Sequence, residues 1–259
     1  MSDAIKHTVD GGVAEVVVEK PPVNALGAAD WQRLADTLRM LGEDPAVRVV
    51  VLAAEGRGFN AGVDIKEIHA RDVGGRHDAL IAVNRACASA FAAVYECEVP
   101  VIAAVHGYCL GGGIGLVGNA DIIVASHDAS FGLPEVDRGA LGAATHLARL
   151  VPQHTMRAMV YTGRRIAAEA LHRFGSIEAL VDRDRLRAAA RDIAAQIAAK
   201  NPLAIRAAKQ SLNGIDPVDV RRSYRYEQGF TFELTLAGVG AEARAAFVEK
   251  RPPRKGDGE

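Results

Sequence analysis

One stretch of the sequence decides the fold: Gly107-Tyr108-Cys109-Leu110-Gly111-Gly112-Gly113-Ile114-Gly115, which follows the apolar run Val101-Ile102-Ala103-Ala104-Val105. The apolar run predicts a buried strand, and the three successive glycines predict a helix that starts soon after it. The first N–H groups of a helix lack intrahelical partners, and glycine leaves them open to a ligand. The stretch therefore predicts a site for a negatively polarised group at a helix start.

A second glycine loop has the same layout. The sequence Gly56-Arg57-Gly58-Phe59-Asn60-Ala61-Gly62-Val63-Asp64 follows a nearly continuous apolar run over residues 47–53. A plain strand-to-helix turn is the alternative interpretation of either loop taken alone. Because two such loops can each supply one N–H to the same ligand atom, their joint presence favours an oxygen-binding site.

Composition and charge restrict the class of protein. The 259 residues suffice for one large domain, and 31 basic residues nearly balance 32 acidic ones. This balance predicts neither nucleic acid nor an anionic membrane as a partner. Cys87, Cys97 and Cys109 lack metal-ligand spacing, and the chain shows neither the order of a signal peptide nor a membrane-length apolar run. We expect a soluble cytoplasmic protein with free thiols.

Strand-like and helix-like segments alternate in the first part of the chain. Residues 13–18, 47–53, 101–105 and 121–125 are strand-like, and residues 30–41 and 78–95 are helix-like. Such alternation predicts an α/β fold in which binding loops gather at the carboxyl ends of strands. Beyond residue 163 there is little strand signal. Three further segments there are typical of helices: residues 185–199, 202–212 and 217–236.

A proton-transfer group is needed beside such an oxygen site. Two N–H groups aimed at one oxygen suit the carbonyl of a thioester, whose enolate or tetrahedral oxyanion they stabilise. Phe131-Gly132-Leu133-Pro134-Glu135 offers a carboxylate in apolar surroundings, where desolvation raises its pKa toward useful acid or base behaviour. Glu135 as a surface turn residue is the alternative.

The order of these segments resembles the enoyl-CoA hydratase/isomerase family, also called the crotonase superfamily, over nearly the whole chain. The shared segments are Pro22-Val23-Asn24-Ala25-Leu26, the two glycine loops, Asp121-Ile122, Phe131-Gly132-Leu133-Pro134-Glu135 and Ala246-Phe247-Val248-Glu249-Lys250-Arg251-Pro252. The resemblance implies a ββα spiral core over residues 1–190, a C-terminal helical region over residues 191–259, and homotrimers or homohexamers.

The resemblance also implies roles for individual residues. The N–H groups of Val63 and Gly112 would form an oxyanion hole, and Glu135 would transfer protons. Val63, Asp64, Ile65 and Lys66 would line the coenzyme A site together with Gly112, and the basic residues near the C-terminal end would approach coenzyme A. Coenzyme A would be part of the substrate, with no separate cofactor and no metal.

Two departures from the family pattern concern the chemistry. Family hydratases carry a catalytic glutamate two residues after the triple glycine, where this chain has Gly115. A two-carboxylate hydration mechanism therefore keeps only Glu135. The segment over residues 139–150 also differs from the family's usual sequence. Within it His146 is either a second proton carrier, a hydrogen-bond donor to substrate or a helix-start residue bonded to backbone. Just before it, Asp137 either reaches the pocket or anchors its loop to Arg138 or Arg149.

Longer strings of sequence resemble one branch of the family, the hydrolases that open the last ring of a steroid nucleus. They cover residues 54–66, 111–118, 135–150 and 226–234. The branch implies hydrolytic carbon–carbon cleavage of a bicyclic keto-acyl-CoA. The aromatic residues Tyr224, Tyr226, Phe230 and Phe232 suggest a packed helix or subunit contact, with one tyrosine or Glu227 at the pocket as the other possibility.

Three other functions are weighed against this one. Gly113-Ile114-Gly115-Leu116-Val117-Gly118 satisfies a dinucleotide-binding spacing, but it starts inside the predicted helix instead of directly after a strand. A noncatalytic CoA-binding protein would keep both glycine loops without needing Glu135. A hydratase or isomerase of fatty-acid-type enoyl-CoA is the alternative enzyme.

Overall fold

The computed structural model describes residues 4–71 and 77–252. Its strands are Ile5–Asp10 (β1), Val13–Val18 (β2), Val49–Ala54 (β3), Val101–Val105 (β4), Tyr108–Leu110 (β5), Ile122–Ser126 (β6), Ser130–Gly132 (β7), Arg165–Ala167 (β8) and Ala179–Val181 (β9). Its helices are Ala28–Glu43 (α1), Ile65–Arg71 (α2), Asp78–Tyr95 (α3), Gly112–Val117 (α4), Ala144–Leu147 (α5), Gln153–Thr162 (α6), Ala168–Arg173 (α7), Leu186–Ala198 (α8), Pro202–Gly214 (α9), Val220–Leu236 (α10) and Val239–Glu249 (α11). Short 3₁₀ turns span Pro134–Arg138 and Arg183–Arg185.

Two sheets form the spiral core. The larger has the order β1-β2-β3-β4-β6-β9, with an antiparallel hairpin at β1-β2 and parallel neighbours after it. The smaller has the order β5-β7-β8, with β5-β7 parallel and β7-β8 antiparallel. Successive repeats contribute one strand to each sheet before a helical segment, as in β4-β5-α4. The predicted α/β fold with ββα repeats is confirmed.

Strand β3 is buried on both faces because the sheet lies between two helical layers. Its alternate residues belong to two apolar clusters, as the period of a strand requires. One cluster packs Val50 and Leu52 with the helices α1 and α3. The other packs Val49 and Val51 against Leu186 and neighbouring residues of α8. A strand buried on both sides is continuously apolar, which is why no alternation marks it in the sequence.

Predicted element bounds agree best where the apolar pattern is long. The expectations for residues 13–18, 78–95 and 101–105 match β2, α3 and β4. The predicted strand over residues 47–53 instead begins at Val49, and the last predicted helix begins at Val220, where Asp219 caps it by accepting from the Arg222 N–H.

The expectation of little strand structure beyond residue 163 misses β8 and β9. Each has only three residues, too few for a period to register. The sequence pattern also does not predict the helix α11, which has four buried residues: Gly240, Ala243, Arg244 and Ala246.

The C-terminal helices fold back onto the core. Tyr224 of α10 packs against Phe91 of α3, and Arg138 of the 3₁₀ turn lies over the Phe247 ring of α11. Helix α8 runs across residue 190, the predicted boundary between the two regions, and residues 253–259 lie outside the described chain. That boundary stays a prediction. Within the described ranges, every helix is too short or too polar to traverse a bilayer.

Candidate active site

Two buried asparagines shape the first glycine loop, which leaves β3. Asn60 accepts the Gly62 N–H with Oδ1 at 2.8 Å and donates through Nδ2 to the Asn24 carbonyl at 2.6 Å. Asn24 in turn donates to the carbonyls of Glu55 and Gly58 at 2.7 and 2.9 Å. Each side chain forms hydrogen bonds with backbone groups that would otherwise be unpaired. These bonds fix the backbone of the loop at Gly62 and therefore the position of Val63, which follows it.

The two glycine loops are in direct contact. Gly62 and Gly111 have φ of +87° and +55°, the left-handed region that glycine adopts without strain. A β-carbon on Gly62 would lie 3.2 Å from the backbone nitrogen of Gly112. Among the described residues, neither the Val63 N–H nor the Gly112 N–H has an acceptor. The predicted pair of amides therefore lies at one place with both donors open.

Glu135 lies against the same turn. A β-carbon on Gly111 would be 2.5 Å from Oε1 of Glu135, so only glycine leaves room for this carboxyl. Its Oε2 is buried and has no hydrogen-bond partner among the described residues. The pKa of Glu135 is raised to about 8, mainly because burial desolvates the carboxylate; a hydrogen bond to its own backbone lowers the pKa, the charge of Glu227 raises it and that of Arg138 lowers it. Near neutral pH this carboxyl can therefore both accept and return a proton.

Phe91 fills the space beside Gly115, where family hydratases carry their other carboxylate. A β-carbon at Gly115 would lie 2.3 Å from the Phe91 ring. The ring packs edge-on against Trp31 and His146, at centroid distances of 5.6 and 5.1 Å, and tilted against Tyr224 at 5.1 Å. An aromatic wall thus replaces a second carboxylate.

His146 is a neutral hydrogen-bond acceptor in this wall. Its Nδ1 lies 3.0 Å from Oδ1 of Asn119, while Nδ2 of Asn119 donates to the Phe91 carbonyl at 2.8 Å. The asparagine oxygen faces the ring, so Nδ1 carries the proton and Nε2 is an unprotonated acceptor. Nε2 is buried without a partner among the described residues. Burial lowers the pKa of His146 to about 3, and the charge of Arg149 adds to this. A side-chain bond holds His146, instead of the backbone bond considered from sequence.

The remaining predicted residues lie at the edge of this site or away from it. Asp64 caps α2 by accepting the N–H groups of Lys66 and Glu67 at 3.1 and 3.2 Å, and Lys66 is exposed. Asp137 is exposed, and its carboxylate lies against Gly163, not in the pocket. The roles of Val63, Asp64, Ile65, Lys66 and Gly112 toward coenzyme A stay predictions.

Several contributors could not be found from the sequence. Phe91 and Trp31 are periodic apolar residues of helices, with no signal that separates them from ordinary core. The indole Nε1 of Trp31 is buried without a partner among the described residues, and its ring lies where a β-carbon on Gly112 would be. Tyr226 is 70% exposed and packs on Phe230, whereas Tyr224 is buried in the wall.

The fold and the paired glycine loops define a protein of the crotonase type. Residues 8–257 match the model of the enoyl-CoA hydratase/isomerase family, and the chain belongs to this family. It is 61% identical over 251 residues to the (7aS)-7a-methyl-1,5-dioxo-2,3,5,6,7,7a-hexahydro-1H-indene-carboxyl-CoA hydrolase of Rhodococcus jostii, covering 96% of each chain.

Two further proteins extend the comparison. The chain is 58% identical over 243 residues to the hydrolase of the same name from Mycobacterium tuberculosis, covering 94% of this chain and 97% of that one. A solved enoyl-CoA hydratase/isomerase from Xanthobacter autotrophicus superposes with a TM-score of 0.85 at 27% identity, covering 96% of this chain and 93% of that one. Family and fold, as the resemblance implied them, are confirmed.

Proposed function

We propose that this protein is a hydrolase that opens a carbon–carbon ring bond of a bicyclic keto-acyl-CoA during steroid ring degradation. The names of the two hydrolases at 61% and 58% identity support this substrate class, since both specify a dioxo-hexahydroindene carried as a CoA thioester. The observation that carries the proposal is a single buried carboxyl, Glu135, beside two unpaired amides and an aromatic wall. The wall suits a flat, fused ring.

The thioester carbonyl oxygen binds between the N–H groups of Val63 and Gly112. Both donors are open and fixed before the ligand arrives, so negative charge that develops on the oxygen is stabilised without reorganisation. The removal of one such donor typically costs about 2.7–4 kcal/mol of transition-state stabilisation. The amides therefore make the thioester an electron sink.

Glu135 moves the protons. As a carboxylate it takes a proton from water while the water oxygen bonds to the ring ketone carbon. The adduct collapses to a carboxylic acid as the adjacent ring bond breaks, and the electron pair of that bond moves through the conjugated ring to the thioester oxygen. Glu135 then returns its proton to the released carbon. One water is added, the ring opens, and the thioester stays intact.

Hydration of an enoyl-CoA is the alternative enzyme activity. That reaction in family hydratases uses two carboxylates, and the Phe91 ring occupies the place of one of them here. With the Phe91 ring in the place of the other carboxylate, we expect negligible hydration of crotonyl-CoA.

The coenzyme A portion extends from the site toward Val63, Asp64, Ile65 and Lys66. Lys66 is exposed on α2, where its ammonium group can pair with a phosphate. We also propose that the protein works in the cytoplasm as a homotrimer or homohexamer, with acyl-CoA as its partner and no separate cofactor or metal.

The test is turnover of the synthetic hexahydroindene-dione carboxyl-CoA, followed by mass spectrometry. We expect a product heavier by one water with CoA still attached, whereas release of free CoA would contradict the proposal.

The variant Glu135→Gln tests the role of the carboxyl. It should reduce kcat about 10²- to 10⁴-fold while leaving thioester binding within a few-fold, because acid–base catalysis has this size. Unchanged turnover by Glu135→Gln would favour the noncatalytic CoA-binding function.

A further inference from the structure

The helix α10 presents a polar face to the loop that joins Glu135 to His146. Gln228, Thr231 and Thr235 are buried on it, although the core side of an amphipathic helix is ordinarily apolar. Thr231 both accepts from the Leu141 N–H and donates to the Leu141 carbonyl, at 3.0 and 2.6 Å. Thr231 thus holds a loop of the site, whereas Gln228 donates to the Asn84 carbonyl of α3 and Thr235 donates to the Thr231 carbonyl within α10.

Glu227 makes most of the contacts to this loop. Its Oε2 accepts from the Ala144 N–H at 3.0 Å, and its Oε1 accepts from the N–H and the hydroxyl of Thr145. All three partners are donors, so Glu227 acts purely as an acceptor, as an ionised carboxylate does. Burial raises the pKa of Glu227 above its ordinary value, and the hydrogen bonds from Thr145 and Ala144 oppose this by favouring the ionised form. It also completes the start of α5, the short helix that carries His146.

The loop needs such a hold because its backbone is strained. Ala143 has φ of +63°, in the left-handed region that is unfavourable for a residue other than glycine, and it is buried. Strained residues of this kind persist only when their surroundings determine them. The three hydrogen bonds of Glu227 are made to Ala144 and Thr145, directly after Ala143, so they hold the backbone in this strained conformation.

Glu227 also acts on Glu135 electrostatically. The titratable and charged groups that interact electrostatically with Glu135 are Arg138 on its own turn, Cys87 on α3, and Tyr224 and Glu227 on α10. Burial raises the pKa of the Cys87 thiol and of the Tyr224 phenol, so both stay neutral. On the packed elements α5 and α11, His146 is neutral and Arg244 is buried beside Gly240; Asp137 lies against Gly163, at the end of α6.

We infer that Glu227 is a positioning residue that acts through Glu135: it holds the loop from Glu135 to His146 and keeps a negative charge beside the Glu135 carboxyl. The negative charge favours the protonated form of Glu135, the form that must return a proton to carbon. This inference rests on the proposed function for its catalytic meaning. The physical link between the two carboxyls does not depend on the substrate.

Infrared titration of the protonated carboxyl band measures this link directly. The Glu135 band is assigned by its loss in Glu135→Gln. In Glu227→Gln we expect the midpoint of that band to fall by about 0.5 pH units or more, because a neutral amide replaces a neighbouring anion. The matched control is Thr231→Val, which removes loop hydrogen bonds without changing charge and should leave the midpoint within about 0.2 units.

An unshifted midpoint in Glu227→Gln, or an equal shift in Thr231→Val, overturns the inference. Should Glu227→Gln fail to fold, Glu227→Asp retains the charge at a greater distance. It should then lower the midpoint by a smaller amount, and an unchanged value again overturns the inference. The titration needs no substrate, so failure of the ring thioester to react would overturn the proposed function alone.

Discussion

Glu135 shows how a single residue acquires its chemistry from its surroundings. A carboxyl that follows Leu133 and Pro134 enters an apolar niche, and the left-handed turn at Gly111 leaves the space it occupies. Burial there makes ionisation costly, so its pKa rises to about 8. The same burial keeps His146 neutral, with its pKa lowered to about 3. Near neutral pH the site therefore contains a carboxyl that is mostly protonated, with an ionised fraction that can act as a base, and a neutral imidazole.

These shifts predict how stability depends on pH. Between pH 4.5 and 8 the folded protein binds a proton at Glu135 that the unfolded chain releases, so the free energy of unfolding falls as pH rises through this window. Removal of the group in Glu135→Gln should make the variant gain about 1–4 kcal/mol relative to wild type between pH 5 and pH 8. Urea denaturation at both pH values measures the difference.

The histidine supplies a comparison of opposite sign. His146 has a folded pKa of about 3 against an ordinary 6.5, so its contribution is lost as pH falls through that window. His146→Gln should therefore gain relative stability toward acid pH.

A Glu135→Gln variant whose advantage shrinks from pH 5 to pH 8 would contradict the account of the carboxyl.

At this scale the sequence identified the residues that belong to motifs but not those that come together through packing. Glu135 stands in a motif of proline and a carboxylate in apolar surroundings, and the family resemblance points to the amides of Val63 and Gly112, whose roles stay predictions. Phe91 could not be recognised, because the apolar period of α3 predicts that it is buried but not which residues it contacts. Glu227 remained one of several polar residues, since its contact with Thr145 spans 82 positions of sequence.

At the scale of the element, the side chain of Asn60 holds the first glycine loop through two hydrogen bonds to its backbone and to Asn24. Asn60→Ala leaves the Gly62 N–H and the Asn24 carbonyl buried without partners. We expect a loss of about 1–3 kcal/mol in the free energy of unfolding and a lower kcat, because Val63 follows Gly62 directly. The matched control is Asn213→Ala, which removes a hydrogen bond to the Tyr95 carbonyl away from the site. If both variants kept full kcat, the anchoring role would be excluded.

The packing of α3 against α4 makes a separate prediction. Gly115→Ala places a β-carbon 2.3 Å from the Phe91 ring, and such overpacking costs about 1–3 kcal/mol. Addition of Phe91→Leu should recover part of the loss. The control is Gly229→Ala in α10, where nothing lies within 4 Å and the change should stabilise the helix. Thermal unfolding of the set checks the order, and a Gly115→Ala variant as stable as wild type would refute the packing.

Long elements were predictable because their apolar periods repeat. In α1 the spacing of Trp31, Leu34, Leu38 and Leu41 marks the buried face, and all four are buried. Short elements were not predictable because they lack such a repeat: the three residues of β8 are too few to show a period. In α11 the buried side includes a glycine and an arginine, so its pattern resembles a solvated segment.

At the scale of the whole molecule, the proposed trimer or hexamer predicts that some exposed apolar side chains become buried between chains. The C-terminal helices and the turn after α9 expose Leu203, Leu212, Ile215, Tyr226 and Leu236, each by more than 60%. An interface between chains would remove part of this apolar surface from water. Light scattering should give three or six times the chain mass of 27.4 kDa. Leu212→Glu should shift the distribution toward smaller species, and a wild-type mass of a single chain would contradict the assembly.

The order of motifs predicts the architecture of the core, but it does not predict how the C-terminal helices pack onto that core. Alternation of strands and helices and the positions of two glycine loops are local features of the chain. The return of α10 onto α3 and α5 is set by contacts between residues far apart in sequence, such as Tyr224 with Phe91. The division at residue 190, which the family resemblance implies, stays a prediction, and α8 runs across that position.

The central claim is that the amides of Val63 and Gly112 hold one thioester oxygen within reach of the Glu135 carboxyl. A crystal structure of Glu135→Gln with the intact hexahydroindene-dione carboxyl-CoA bound measures this directly. We predict the carbonyl oxygen about 2.7–3.1 Å from both backbone nitrogens, with the substituted side-chain amide beside the ring ketone. A carbonyl that points away from both nitrogens would contradict the account.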